Sequence, residues 1–171
     1  MHIMVKSSNE LHQKALELLD KRGVKLTDIA ELVLFLQTPY IKDLSVEECL
    51  VNVEAVLLKR EVQNTILTGV QLDMLAEQNA LMNPLQDIIT DDEGLYGIDE
   101  ILALSIVNVY GSIGFTNYGY IDKIKPGILA KLNSHEGDEV HTFMDDIVGA
   151  IAAAAASRLA HANPSQSELV K

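Results

Sequence analysis

Apolar residues recur along this chain at spacings of three and four, the signature of helices with one buried face. Leu11, Ala15, Leu18 and Leu19 form the first stripe. Ser7-Ser8-Asn9-Glu10 precedes it as a capping box, and Gly23 closes it. A second stripe, Ile29, Leu32, Val33 and Leu36, follows Thr27 as its expected cap and stops at Pro39. Ser45-Val46-Glu47-Glu48 is another capping box. It predicts a helix to Val62 with Leu50, Val53, Leu57 and Leu58 inward. A fourth helix is expected from Thr65 to Asn79, across Gly69.

Asn83-Pro84 reads as a cap followed by proline at the first helical position, and residues 90–94 as a loop. Ile98 to Tyr110 is apolar almost all round, which predicts a helix at the centre of the domain. A strand is the competing reading, and the length of the run favours the helix. Gly111 to Gly119 reads as a loop or an irregular helix start, and Pro126 breaks the stretch from Ile121 to Leu132. The last helix is predicted over 138–162, with high propensity at Ala152 to Ala156. No strand or hairpin pattern is visible. The expected fold is all-α: a single-domain helical bundle over 1–171, with a central apolar helix at about 98–110, surrounded by the others, and frayed ends at 1–6 and 163–171.

Composition narrows the function. Net charge is −12 and the isoelectric point about 4.7, with no Lys/Arg stripe, so nucleic acid is excluded as a partner. Cys49 is the only cysteine. Its acidic neighbours raise a thiol pKa, so it reads as inert. The longest strongly apolar run, Ile147 to Ala156, is far short of the ~18–20 residues that span a bilayer, and no secretory leader is visible. A soluble, cytoplasmic protein without a transmembrane segment is expected.

The candidate chemistry lies in acids set among apolar residues. Asp99 and Glu100 open the most hydrophobic predicted helix. Asp145 and Asp146 fall between Phe143 and an alanine-rich run. Adjacent helical residues lie about 100° apart, so one acid of each pair approaches the buried side. A buried carboxylate needs a partner. With 25 acids against 13 Lys and Arg, protein cations cannot pair them all, whereas one divalent metal satisfies several. A helix dipole alone also accounts for Asp99 and Glu100 in a first turn. Asp145 and Asp146, read as two turns into their helix, escape that account, leaving a salt bridge or a solvated face as the alternative. In Asp122-Lys123-Ile124-Lys125-Pro126 an acid and two lysines meet a helix break. Asp122 could join a metal and a lysine could meet a phosphate oxygen. Equally, lysines are favoured at a helix C-terminus before proline. His141 and Asp145 are spaced to share a helix face, and His135 sits in a loop; neither belongs to a metal-binding pattern.

Three segments in order, Gly97-Ile98-Asp99-Glu100, Asp122-Lys123-Ile124-Lys125-Pro126 and Met144-Asp145-Asp146-Ile147-Val148-Gly149-Ala150, resemble the blocks of the phosphatidylglycerophosphatase A family. That pattern is an Asp-Glu pair opening an apolar helix, then Asp-x-x-Lys-Pro, then Asp-Asp followed by apolar and small residues. Long membrane helices and the family's N-terminal Pro-Gly-Thr-x-Gly-Ser-like loop are missing, and Ala103 stands where glycine is common. The chain is therefore more similar to the soluble branch of Gram-positive bacteria.

The resemblance implies a Mg²⁺-dependent phosphatase that converts phosphatidylglycerophosphate to phosphatidylglycerol. Asp99, Glu100, Asp122, Asp145 and Asp146 would be its catalytic and metal-binding residues. Lys125 would bind phosphate, with Lys123 included for its position. Mg²⁺ would neutralise phosphate and activate water, and one carboxylate free of metal would act as base. The expected partners are a phosphate-ester substrate, with an anionic phospholipid as the candidate, peripheral contact with a membrane, and a second copy of the chain. Two alternatives are an all-α Mg²⁺-dependent nucleotide pyrophosphohydrolase and a non-enzymatic helical oligomerisation module.

Overall fold

The computed structural model describes residues 8–134 and 137–163. Ser7 of the first capping box, His135, and the expected frayed ends, save Asn163, lie outside them. The described residues form α-helices with no strand: α1 (Ser8–Lys21), α2 (Leu26–Gln37), α3 (Val46–Leu57), α4 (Arg60–Glu77), α5 (Leu85–Thr90), α6 (Ile98–Val107), α7 (Ser112–Ile124), α8 (Ile128–Leu132) and α9 (Met144–Ala162). A 3-10 turn, Asn108–Tyr110, extends α6. One continuous apolar core joins them, so the all-α, single-domain expectation holds.

The buried faces of α1 to α4 follow the sequence stripes, with small shifts of boundary. The cap of α2 is Lys25 rather than Thr27, because the Asp28 carboxylate accepts the Lys25 N–H at 2.8 Å. Ser45 caps α3 as expected, its hydroxyl accepting the Glu48 N–H. That helix stops at Leu57 rather than Val62. Its last carbonyl accepts the buried Gln63 amide at 3.0 Å, and Leu58 turns out to solvent. Pro84 itself is the cap residue of α5.

The centre of the bundle is a correction. It is held by α9, not by the helix at 98–110. α9 packs on α2, α3, α4, α6, α7 and α8. Ile147, Val148 and Ala150 to Ala156 have no solvent exposure, and Gly149 between them is buried. In α6 only Ala103, Ile106 and Val107 are buried, while Ile98 and Ile101 are 52% and 63% exposed. Small side chains decide this. Alanine and glycine let neighbours close on α9 from all sides, which the bulky residues of α6 forbid. Gly69 of α4 serves the same approach: a Cβ there would collide with Ile147 Cδ1 and stand 3.0 Å from Phe143 Cβ.

Two further expectations change. Residues 112–124 are a regular helix, α7, because Gly114 fits against Val107 and Tyr118 and Ile121 are buried. The last helix begins at Met144, not 138. Side chains take the backbone groups just upstream. Asp73 of α4 accepts the N–H of Phe143 and of Met144, each at 3.0 Å. Glu77 accepts the Val140 N–H at 2.8 Å, and Arg22 donates to the Val140 carbonyl. An Arg22–Glu77 ion pair at 2.6 Å locks this segment to α1 and α4.

Candidate functional site

That late start of α9 changes the reading of its two acids. Asp145 and Asp146 stand in the first turn, where the helix dipole favours negative charge. Yet each is only 6% exposed, so the dipole does not replace lost hydration. Opposite them, α7 ends at Ile124. Proline disfavours a right-handed helical conformation in the residue before it, and Lys125 takes a left-handed one, φ +50°. This turns its ammonium inward. Lys125 Nζ lies 2.6 Å from Asp122 Oδ1, 2.7 Å from Asp145 Oδ2 and 3.8 Å from Asp146 Oδ1.

The third wall is the start of α6. Gly97, at φ +69°, turns the chain there and presents Asp99 and Glu100 from the first helical turn. Together these elements enclose a cleft of about 160 Å³ lined by Asp92, Glu93, Asp99, Glu100, Asp122, Asp145, Asp146, Lys125 and Asn133, with Gly94 and Gly97. All five acids expected from sequence therefore meet in one place, with Lys125. Lys123 does not: it is exposed on α7 and lines no part of the cleft. His141 is not on α9. Its ring contacts Glu139 and Arg22 elsewhere, and burial and then Arg22 lower its pKa.

Charge in the cleft is badly balanced. Burial, and then the neighbouring Asp145, push the Asp146 carboxyl up to about 9. Burial also raises Asp145, against the pull of Lys125, and Asp92 adds to the rise. Burial opposes the charge on Lys125, but Asp145 and Asp122 outweigh it and hold the ammonium above its usual value. Tyr118, on the buried side of α7, is raised by burial and then by Asp146. One lysine is thus set against seven acids.

The donor set is hard oxygen, which suits Mg²⁺. Among the described residues no three acids, histidines or cysteines stand close enough to form a ready-made cage. Mg²⁺ does not require one; it commonly uses one or two carboxylates with substrate phosphate and water completing the shell. In chemistry, the residues fit.

Sequence reasoning missed Asp92 and Glu93 in the cleft, taking them for loop, and missed Asn133. It also missed Asp73, which is fully buried and holds the N-terminus of α9. Burial pushes this carboxyl up to about 8, against the downward pull of the Phe143 and Met144 amides and of Arg22. A signal existed: Asp73 falls on the stripe Ile66, Val70, Asp73, the one acid on an apolar helix face. Cys49 is buried, and burial followed by Glu48 pushes its thiol up to about 11, in keeping with an inert role.

The fold and the cleft together describe a helical bundle that gathers acids and a Lys-Pro break around one helix start. The chain belongs to the family described as Phosphatidylglycerophosphatase A, whose model matches residues 16–161. It is 63% identical over 153 residues to the YutG protein of Bacillus subtilis strain 168, covering 90% of this chain and 92% of that one. The crystal structure of the low temperature requirement C protein from Listeria monocytogenes superposes with a TM-score of 0.89 at 69% identity, covering 91% of this chain and 98% of the other. That of YpjQ from Bacillus subtilis gives a TM-score of 0.88 at 53% identity, over 93% and 98% of the two chains. Among the described residues no helix is long and apolar enough to cross a membrane.

Proposed function

We propose that this protein is a Mg²⁺-dependent phosphomonoesterase acting on phosphatidylglycerophosphate or a close lipid phosphate. One observation carries the reading: Asp99, Glu100, Asp122, Asp145, Asp146 and Lys125, from three separate segments, line a single cleft. Bulk solvent would satisfy such acids at no cost, so a protein that buries two of them has a use for the charge. Family membership favours a phosphomonoester over a nucleotide pyrophosphate as substrate.

The acids of α6, α7 and α9 would hold Mg²⁺, which supplies Lewis-acid neutralisation of phosphate charge when bound. Lys125 is the phosphate ligand. Its ammonium, now shared by Asp122 and Asp145, is the cation nearest the cleft centre and would turn to a phosphoryl oxygen. Its left-handed backbone costs of order 1 kcal/mol in a residue that is not glycine, the kind of strain kept where a side chain must point one way. A carboxylate not engaged by the metal takes the proton of the attacking water.

The test is phosphate release from phosphatidylglycerophosphate in detergent with Mg²⁺, run beside a soluble phosphomonoester and a nucleoside triphosphate. Phosphate from the lipid alone is expected. Release from the soluble ester only would remove the lipid assignment, and pyrophosphate from the nucleotide would favour the pyrophosphohydrolase reading.

A further inference from the structure

Charged residues make up 22% of this chain, yet between Ile101 and Ile121 there is no Asp, Glu, Lys, Arg or His. At the chain's average a segment of that length would hold about four or five, and surface charge is what keeps a face free of partners. Much of this segment lies on the surface. Ile113 and Tyr120, two turns apart on one side of α7, are 39% and 51% exposed. The face continues onto α2, where Phe35 stacks on Tyr120 with ring centroids 6.2 Å apart. Beside that pair lies a hollow of about 290 Å³, walled by Tyr40, Ile41 and Ile113 and lined by no charged residue. Single exposed apolar side chains need no explanation; the exposed rings of Phe35, Tyr40 and Tyr120 grouped around an uncharged hollow do.

We propose that this α2–α7 face docks a second copy of the chain in a two-fold arrangement that lays α7 against its counterpart. Charge selects the occupant. Two copies at −12 each repel over most of their surfaces, and approach is least opposed along residues 101–121, which carry no acid. An anionic lipid surface would be met by Lys or Arg, and the segment has none. A basic partner would be drawn to the acid-bearing surfaces instead. A neutral apolar face complements another of its kind, which a two-fold axis supplies automatically. The alanines of α9 do not serve this purpose, because they are buried within their own chain. The docked helix is also the one whose far end brings Asp122 and Lys125 to the cleft.

Sedimentation velocity on the full chain from about 1 to 100 μM tests this, a range that resolves micromolar self-association. The wild type is expected near ~38 kDa, twice the 18.8 kDa chain, as a two-fold pair requires. The double variant Ile113→Glu/Tyr120→Glu is expected to halve that mass with an unchanged helical spectrum. Met82→Glu, at an 86% exposed position after α4, should leave it intact. A wild type that stays monomeric throughout, or a dimer that survives the double variant, overturns the proposal. So does a monomer that floats with zwitterionic phosphatidylcholine vesicles through this face. If the double variant unfolds, amide exchange of the wild type decides. Protection within 101–121 that grows with concentration supports the face, and protection confined elsewhere removes it.

Discussion

α6 and α9 invite comparison because sequence ranks them in the wrong order. α6 is the more hydrophobic of the two, and α9 begins with two aspartates. Yet α9 fills the centre and α6 lies against one side of it. Hydropathy measures the gain on leaving water, whereas position in a bundle also depends on how closely neighbours can approach. A helix of alanine and glycine admits neighbours on every side, so it is buried all round with little apolar bulk of its own. α6 buries Ala103, Ile106 and Val107 and leaves Ile98 and Ile101 in solvent. The two helices differ at their starts as well. Asp73 fastens α9 from a neighbouring helix, whereas α6 begins from a turn at Gly97 with its acids at the cleft rim.

The largest expected effect falls on the acids that α9 carries into the centre. Asp145→Asn removes one partner of Lys125 and should lower phosphate release on the order of 10²–10³-fold, as loss of one preorganised electrostatic group does. Steady-state assays beside unchanged helical content check it. Full activity in Asp145→Asn would break the idea that the buried start of α9 is functional. Next comes the fastening itself. Asp73→Ala leaves two buried amides without an acceptor and should cost about 2–4 kcal/mol in urea denaturation. A loss near zero would mean that α9 needs no such anchor.

Ala153→Leu tests the packing half of the comparison. Ala153 has no exposure, so the added bulk should cost roughly 1–3 kcal/mol even though it raises hydropathy.

Asp73 also gives a pH signature. It ionises near pH 4 in the unfolded chain, about its unperturbed value, but only near 8 when folded. The folded state therefore holds the extra proton between these values, and stability should fall as pH rises from about 4 to about 8. Asp73→Asn, which keeps an acceptor and cannot ionise, should flatten that part of the profile in denaturant midpoints measured at pH 5 and pH 8. Smallest of all is Ile101→Gln on α6, expected within ±0.5 kcal/mol because the side chain is 63% exposed. A loss comparable to that of Ala153→Leu would place α6 in the core after all.

Much of the cleft was legible before its geometry. The Asp-Glu, Asp-x-x-Lys-Pro and Asp-Asp blocks supplied five acids and Lys125, and all six line it. Lys123, which the resemblance did not include, is kept out of the cleft because a helix end points neighbouring residues in different directions. Asp92 and Glu93 were illegible as site residues because nothing local distinguishes a functional acid in a loop from a solvated one. Asp73 was legible in principle from its place on an apolar stripe.

What the sequence determined is local: helix faces with period 3.6, the Ser45 cap, the stop at Gly23, and the Lys-Pro break that turns Lys125 inward. These depend on side chains within one or two turns of each other. Which helix lies at the centre, where α9 begins, and which acids are buried depended on contacts between distant segments. Asp73 meets Phe143 and Met144 across seventy and seventy-one residues, and Lys125 meets Asp145 across twenty. No local pattern encodes such meetings, because their energies exist only once the helices have packed.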